Sequence, residues 1–114
     1  MTHEKFNNFA KNFVKQTTSV LYAKGKSYAL NRGDRLEHFK SAAKYLNTTP
    51  REACLAQLTK HLVSIRDMVC ANDGAVFSPE QWDEKIGDAI NYLVLLRAIV
   101  IDQEMEDKND KLHI

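Results

Sequence analysis

Three carboxylates stand at helical spacing in the sequence. Glu80, Glu84 and Asp88 follow one another at i, i+4 and i+8, and Asn91 comes next at helical spacing. At about 100° per residue, these four side chains lie within one narrow sector of a helix. Hard oxygen ligands without His or Cys suit Mg²⁺, with Mn²⁺ as a second choice. The pattern therefore predicts a divalent-cation site at Glu80, Glu84 and Asp88.

The row Glu80, Glu84 and Asp88, here called the acidic stripe, has a second interpretation. In it, the carboxylates form an ordinary solvated helix face. Glu80 suits that interpretation because it stands near the positive end of the helix dipole, whereas Asp88 lies beyond the second turn. The stripe also continues into Leu95 and Ile99, so its inner end approaches an apolar part of the helix where a carboxylate needs a counter-cation. On spacing alone, both interpretations stay open.

Basic residues gather in a segment between the first two predicted helices. Lys24 and Lys26 precede Tyr28, and Arg35 closes the segment. Beside a metal cluster, such residues would hold the phosphates of a nucleotide and stack against its base. The alternative is a polar connecting loop with no ligand.

A shorter polar line follows on the third predicted helix, where Lys60, Ser64 and Asp67 share a face. Lys60 would contact a phosphate in the functional interpretation. In the alternative, the line is an exposed Lys/Asp surface of the kind that many helices carry.

Four amphipathic helices position these groups. The first spans residues 3–23, the second starts at an Asp34 cap and ends near Asn47, and the third starts at Thr49-Pro50. The fourth starts at Ser78-Pro79 and runs to about residue 104. We expect one helical domain over residues 1–104 and a frayed, charged tail over residues 105–114.

Composition agrees with an all-α, four-helix, bundle-like fold. The chain has 114 residues, four Gly and two Pro, which leaves few turns for a β sandwich or barrel. A net charge of +1 argues against a general nucleic-acid coat or a polybasic membrane binder. The two cysteines form no CxxC pair, which excludes zinc-finger chemistry.

Location is predicted from the polar N-terminus, and assembly from one apolar segment. The polar N-terminal residues do not resemble a signal peptide, so we expect a cytoplasmic protein. The segment 92–101 is apolar nearly all round the helix, and three short partner helices would not bury all of it. We therefore expect a homo-oligomer.

Four segments together resemble the MazG-like all-α nucleoside triphosphate pyrophosphohydrolases, and in particular a small phage-encoded branch. Residues 26–29 (KSYA) are similar to the family's basic-x-Tyr-Gly stretch, and residues 38–43 (HFKSAA) to its Asn-Phe-x-x-x-Ala stretch. Residues 58–64 (LTKHLVS) resemble its third helix, and residues 84–92 (EKIGDAINY) its closing Asp/Glu-x-x-x-Asp-x-x-Gly/Asn-Tyr signature. The order and spacing of these segments span most of the chain.

The resemblance implies Mg²⁺-dependent hydrolysis of a (deoxy)nucleoside triphosphate to a monophosphate and pyrophosphate. Glu84 and Asp88 would be the catalytic metal ligands, with Glu80 as a third ligand. Substrate contacts would come from four further residues: Lys26, Tyr28, Lys60 and Asn91. The resemblance also implies a dimer or tetramer, acting in the host cytoplasm if a phage encodes the chain.

One departure from the family favours an alternative function. Better-known members carry Glu-Glu-x-x-Glu on a helix before the closing signature, and this sequence has no such motif. The alternative is a non-catalytic accessory protein of the same fold that binds a nucleotide or another protein. A helical assembly protein, with an accidental acidic stripe, is a third interpretation.

Overall fold

A computed structural model describes residues 1–28, 33–71 and 76–112, except for the side chains of residues 27, 28 and 110–112. Within these ranges the chain forms four helices and no strand, which confirms the all-α prediction. The helices are α1 (His3–Tyr28), α2 (Glu37–Leu46), α3 (Pro50–Val69) and α4 (Pro79–Leu112).

The predicted starts of α3 and α4 are confirmed by their capping bonds. Thr49 Oγ1 accepts the backbone N–H of Glu52 at 3.2 Å, and Pro50 stands at the first helical position. At the start of α4, Ser78 Oγ accepts the N–H of Gln81 at 3.1 Å, while Gln81 Oε1 accepts the N–H of Ser78 at 2.8 Å. These reciprocal bonds satisfy N–H groups that the helix itself leaves without partners.

Three helix boundaries differ from the sequence prediction. α1 continues through Lys24 and Gly25 to Tyr28, because Gly25 packs against the Arg35 side chain rather than ending the helix. α2 begins at Glu37, and Asp34 Oδ1 instead accepts the N–H of Leu36 at 2.9 Å in the preceding turn.

The third difference is at the C-terminus, where α4 extends to Leu112 instead of fraying after residue 104. Lys40 of α2 contacts two carboxylates of α4, one just before this extension and one inside it. Its Nζ is 2.9 Å from Asp102 Oδ2 and 3.6 Å from Glu106 Oε1, and it also lies 2.7 Å from Asp34 Oδ2. This ionic cluster ties the extension of α4 to the start of α2.

α4 is the central helix, since it packs against both α3 and α1, and α2 packs on α3. Phe39 of α2, Cys54 of α3 and Ile99 of α4 meet in the core. α1 follows α4 in the same direction, with Thr17 beside Gly87 and Leu21 beside Leu95. A Cβ atom on Gly87 would lie 3.2 Å from Thr17 Oγ1, so this glycine permits the close approach of the two helices.

The single chain leaves part of the segment 92–101 uncovered. Leu93, Val94 and Ile101 are 53%, 45% and 42% exposed. α3 and α1 cover two sides of α4, and no other described element covers the third. The apolar residues of the third side therefore face outward in the single chain.

Apolar runs in these helices are short. Within the described ranges, none of the helices has both the length and the apolarity that a membrane span requires.

The two cysteines are free thiols: Cys54 is buried in the core and Cys70 is exposed at the end of α3.

Candidate functional site

An acidic groove runs between α1 and the first half of α4. It has a volume of about 250 Å³ and is walled on the α1 side by residues that include Phe13 and Thr17. Its α4 side contains four carboxylates and the Asn91 amide. The groove brings together all three predicted metal ligands, Glu80, Glu84 and Asp88, and adds Asp83, which the stripe did not include.

Asp88 lies where three helices meet. Its carboxylate is 4.0 Å from Lys24 Nζ of α1 and 3.9 Å from His61 Nδ1 of α3. Its side chain is 20% exposed, whereas Glu80 and Glu84 are exposed residues. Asp88 therefore has cationic or polar neighbours from two other helices, and the outer carboxylates extend from it toward solvent.

Asn91 is a deeply buried polar residue of the site, at 7% exposure. Its Nδ2 donates to the carbonyl of Thr17 at 2.9 Å, which fixes the amide between α1 and α4. No described residue donates to the Asn91 Oδ1 atom, although that atom is buried. A buried acceptor without a donor costs about 1–3 kcal/mol of folding free energy. This oxygen therefore either destabilises the fold or accepts from a ligand.

Aromatic rings support the site from the α3 side. The His61 ring lies 5.0 Å from the Tyr92 ring at a 30° interplanar angle, and Phe39 meets Tyr92 edge-on at 6.4 Å. Cys54 Sγ donates to the Tyr92 carbonyl at 3.6 Å, and burial raises the pKa of the Cys54 thiol to about 11. This packing fixes the position of His61 beside Asp88.

A small cavity adjoins the inner end of the groove, between α1, α2 and α4. Its volume is about 80 Å³, and Asp88 and Asn91 line it as well as the groove. Cationic groups enter it from the other two helices: Lys24 from α1 and Arg35 from the turn before α2. An acidic groove and a cavity with two cations thus share two residues.

Of the other predicted substrate residues, Lys26 and Lys60 line neither the acidic groove nor the small cavity, and the side chain of Tyr28 lies outside the described part. Lys60 is exposed on α3, and its carbonyl accepts the Ser64 hydroxyl at 3.2 Å. Lys26 is exposed and borders an apolar groove with Tyr22 and Val94. The side chain of Tyr28 lies outside the described residues.

The described residues do not form a closed metal-binding cage. Among the residues that the structure describes, no three His, Cys, Asp or Glu side chains converge closely enough to hold a metal ion. The carboxylates of the groove stand on successive turns of one helix, which separates them along the helix axis. The site therefore offers a row of oxygen donors rather than a closed cluster.

The sequence pattern does not connect His61 with Asp88, because the two residues lie on different helices. It likewise does not place Arg35 and His38 in a common cavity with Asp88. Only the structure shows that Gly25 lies inside α1 under the Arg35 side chain, since the sequence predicts that this helix ends at residue 23.

Comparisons of the chain with models of known protein families, with curated proteins and with solved structures find no match.

Proposed function

We propose that this chain is a MazG-like, Mg²⁺-dependent hydrolase that converts a (deoxy)nucleoside triphosphate to a monophosphate and pyrophosphate in the cytoplasm. The main support is that Asp88 and Asn91 line both the acidic groove and the cationic cavity. A substrate that combines a divalent cation with a polyphosphate needs adjacent walls of opposite charge. This site offers both walls within one helix turn of α4.

The oxygen donors of the groove fit Mg²⁺. Glu84 and Asp88 supply carboxylates, and the buried Asn91 Oδ1 accepts from no described residue. Mg²⁺ is usually held by one or two carboxylates and completes its coordination with water and substrate phosphates, so a closed cluster of three side chains is not required. When bound, the ion would neutralise phosphate charge and lower the pKa of an attacking water.

The surrounding residues orient these donors. His61, packed on Tyr92, lies 3.9 Å from the Asp88 carboxylate on the α3 side, and the bond to the Thr17 carbonyl holds Asn91. Glu80, at the outer end of the groove, would attract the cation before it reaches Asp88. Lys26, Tyr28 and Lys60 remain predicted substrate contacts.

The reaction is tested by incubation with Mg²⁺ and a panel of NTPs and dNTPs, with pyrophosphate and phosphate assayed separately. We expect pyrophosphate release that falls by at least about 100-fold in Asp88→Asn. Asp107→Asn is the matched control, because Asp107 is an exposed α4 carboxylate far from the groove. No release from any nucleotide, together with no Mg²⁺ binding by calorimetry, would refute the proposal.

The alternative is a non-catalytic protein of the same fold that binds a nucleotide or another protein. The missing Glu-Glu-x-x-Glu motif favours it. Nucleotide binding that needs Asp88 and Asn91, without turnover, would support this alternative over the enzyme.

We also propose that the chain forms a homo-oligomer. It exposes 8828 Å² of surface, whereas a compact monomer of this mass would expose about 6,300 Å². Its radius of gyration is 17.5 Å, compared with about 13 Å for a compact domain of this length. The excess of about 2,500 Å² per chain lies at the upper end of what an obligate interface buries on each partner, about 1,000–2,500 Å².

The proposed interface is the outward side of α4. Its exposed apolar residues fall within a sector of about 120° on the helix, and they are Ile86, Leu93, Val94, Ile101 and Met105. Sedimentation at micromolar concentration should show a species larger than 13.0 kDa. Leu93→Glu should shift it to the monomer, while Tyr45→Glu on α2 should not. A wild-type protein that sediments only as the monomer would contradict the proposal.

A further inference from the structure

The small cavity beside Asp88 is compact. Its volume of about 80 Å³ is well below the range of about 300–1,000 Å³ that pockets for drug-sized ligands have. It therefore suits one compact group, such as a phosphate, better than a nucleobase with its sugar.

The charges that line the cavity favour an anion. Lys24 and Arg35 contribute two positive charges, and Asp88 contributes one negative charge. Lys24 Nζ is 4.0 Å from Asp88 Oδ1, and the Lys24 side chain is 58% exposed, so this pair is loose enough to admit an anion at the cation. His38 also lines the cavity.

Arg35 is held in position by the backbone of α1. Its Nη2 donates to the carbonyl of Leu21 at 3.4 Å, and its side chain lies directly over Gly25. A Cβ atom at position 25 would be 2.7 Å from Arg35 Nε and 3.1 Å from Arg35 Cδ. Glycine is unfavourable inside a helix, so its presence under Arg35 indicates that the placement of this guanidinium matters.

We propose that Arg35, Lys24 and His38 form a subsite for a single phosphate group. A guanidinium presents a planar array of N–H donors that matches a phosphate, and a fixed guanidinium loses less entropy when it binds one. The identity of the ligand as a nucleotide phosphate rests on the proposed function, but phosphate binding by these residues does not. Asp88 lies next to the subsite, so a cation bound to the carboxylate would strengthen phosphate binding.

The test is a titration of the full chain with inorganic phosphate and with pyrophosphate in the presence of EDTA, followed by ³¹P NMR and by the rise in Tm. We expect wild-type binding in the millimolar range, weakened about fivefold or more in Arg35→Lys and Gly25→Ala. Gly25→Ala keeps every charge and displaces only the guanidinium. Arg51→Lys, on the outer face of α3, is the control and should bind as wild type does.

Lys24→Gln covers the case in which changes at Gly25 or Arg35 impair folding, because Lys24 is exposed and its replacement should leave Tm in phosphate-free buffer unchanged. Phosphate binding should still weaken about threefold. If the wild type fails to bind phosphate, or if all three variants bind it as the wild type does, the subsite is refuted.

Failure of the enzyme proposal gives a different result. If no nucleotide is hydrolysed but phosphate binding depends on Arg35 and Gly25, the proposed function falls and the subsite stands. If nucleotides are hydrolysed at rates that do not change in Arg35→Lys and Gly25→Ala, the function stands and the subsite falls.

Discussion

Replacement of Asn91 by leucine should affect stability and ligand binding in opposite directions. The two side chains have nearly the same shape, so the change removes the polar atoms and keeps the packing. The lost bond from Nδ2 to the Thr17 carbonyl, 2.9 Å long, contributes about 1 kcal/mol. The carbonyl itself remains inside α1, where the helix supplies its usual N–H partner.

The gain comes from the Asn91 Oδ1 atom, which is buried and accepts from no described residue. Its desolvation costs about 1–3 kcal/mol, and leucine removes that cost. The net change in the free energy of unfolding should therefore lie between zero and a gain of about 2 kcal/mol, or a Tm rise of up to about 8 °C. Binding of Mg²⁺ and nucleotide should fall at the same time, because the replacement removes the Oδ1 ligand atom and so gains stability at the expense of function.

Urea denaturation and calorimetry measure the two effects on the same preparation. Asn91→Ala is the companion variant: it removes the same polar atoms but leaves a space, and it should be less stable than Asn91→Leu by about 2 kcal/mol. A loss of more than about 1 kcal/mol in Asn91→Leu would show that the amide is a structural bond and not a ligand group. Unchanged Mg²⁺ and nucleotide binding would refute its role in the site.

Two further predictions concern groups outside the groove. The hydrogen bonds from Lys40 and from the Leu36 N–H lower the pKa of Asp34. Its stabilising effect is therefore present at neutral pH and is lost as pH falls below about 4. In urea titrations, the difference in unfolding free energy between wild type and Asp34→Asn should shrink over that range, and a constant difference would contradict the lowered pKa of Asp34. Burial raises the pKa of Cys54 to about 11. At pH 8, a thiol reagent should therefore label only the exposed Cys70 of the native chain, and both cysteines after denaturation. Rapid labelling of two thiols in the native state would contradict the packing of Cys54.

Much of the fold could be predicted because its signals are local. The caps at Thr49 and Ser78 satisfy N–H groups within one turn, so they need no knowledge of the rest of the chain. The ends of α1 and α4 could not be predicted in this way. Gly25 stays helical because Arg35 packs on it, and Lys40 of another helix pairs with Glu106 in the extension of α4. Contacts between distant residues override local propensity at both ends.

The candidate site likewise contains residues that the sequence groups together and neighbours that only the structure shows. Glu80, Glu84 and Asp88 lie in one groove because residues four apart always share a helix face. His61 beside Asp88, and Arg35 in the adjoining cavity, depend on how α3 and the start of α2 pack against α4. No spacing rule joins residues on separate helices, so these neighbours could be found only in the structure.

The sequence by itself therefore determined the helical class, the main caps and the acidic stripe, since each depends on interactions within a few residues. The tertiary structure decided which end of the stripe is enclosed, which cations face it, and that the outward side of α4 stays uncovered in a single chain. The physical reason is that charge pairing and burial depend on distance in space, and a chain of 114 residues brings its helices together in a way that local patterns do not specify.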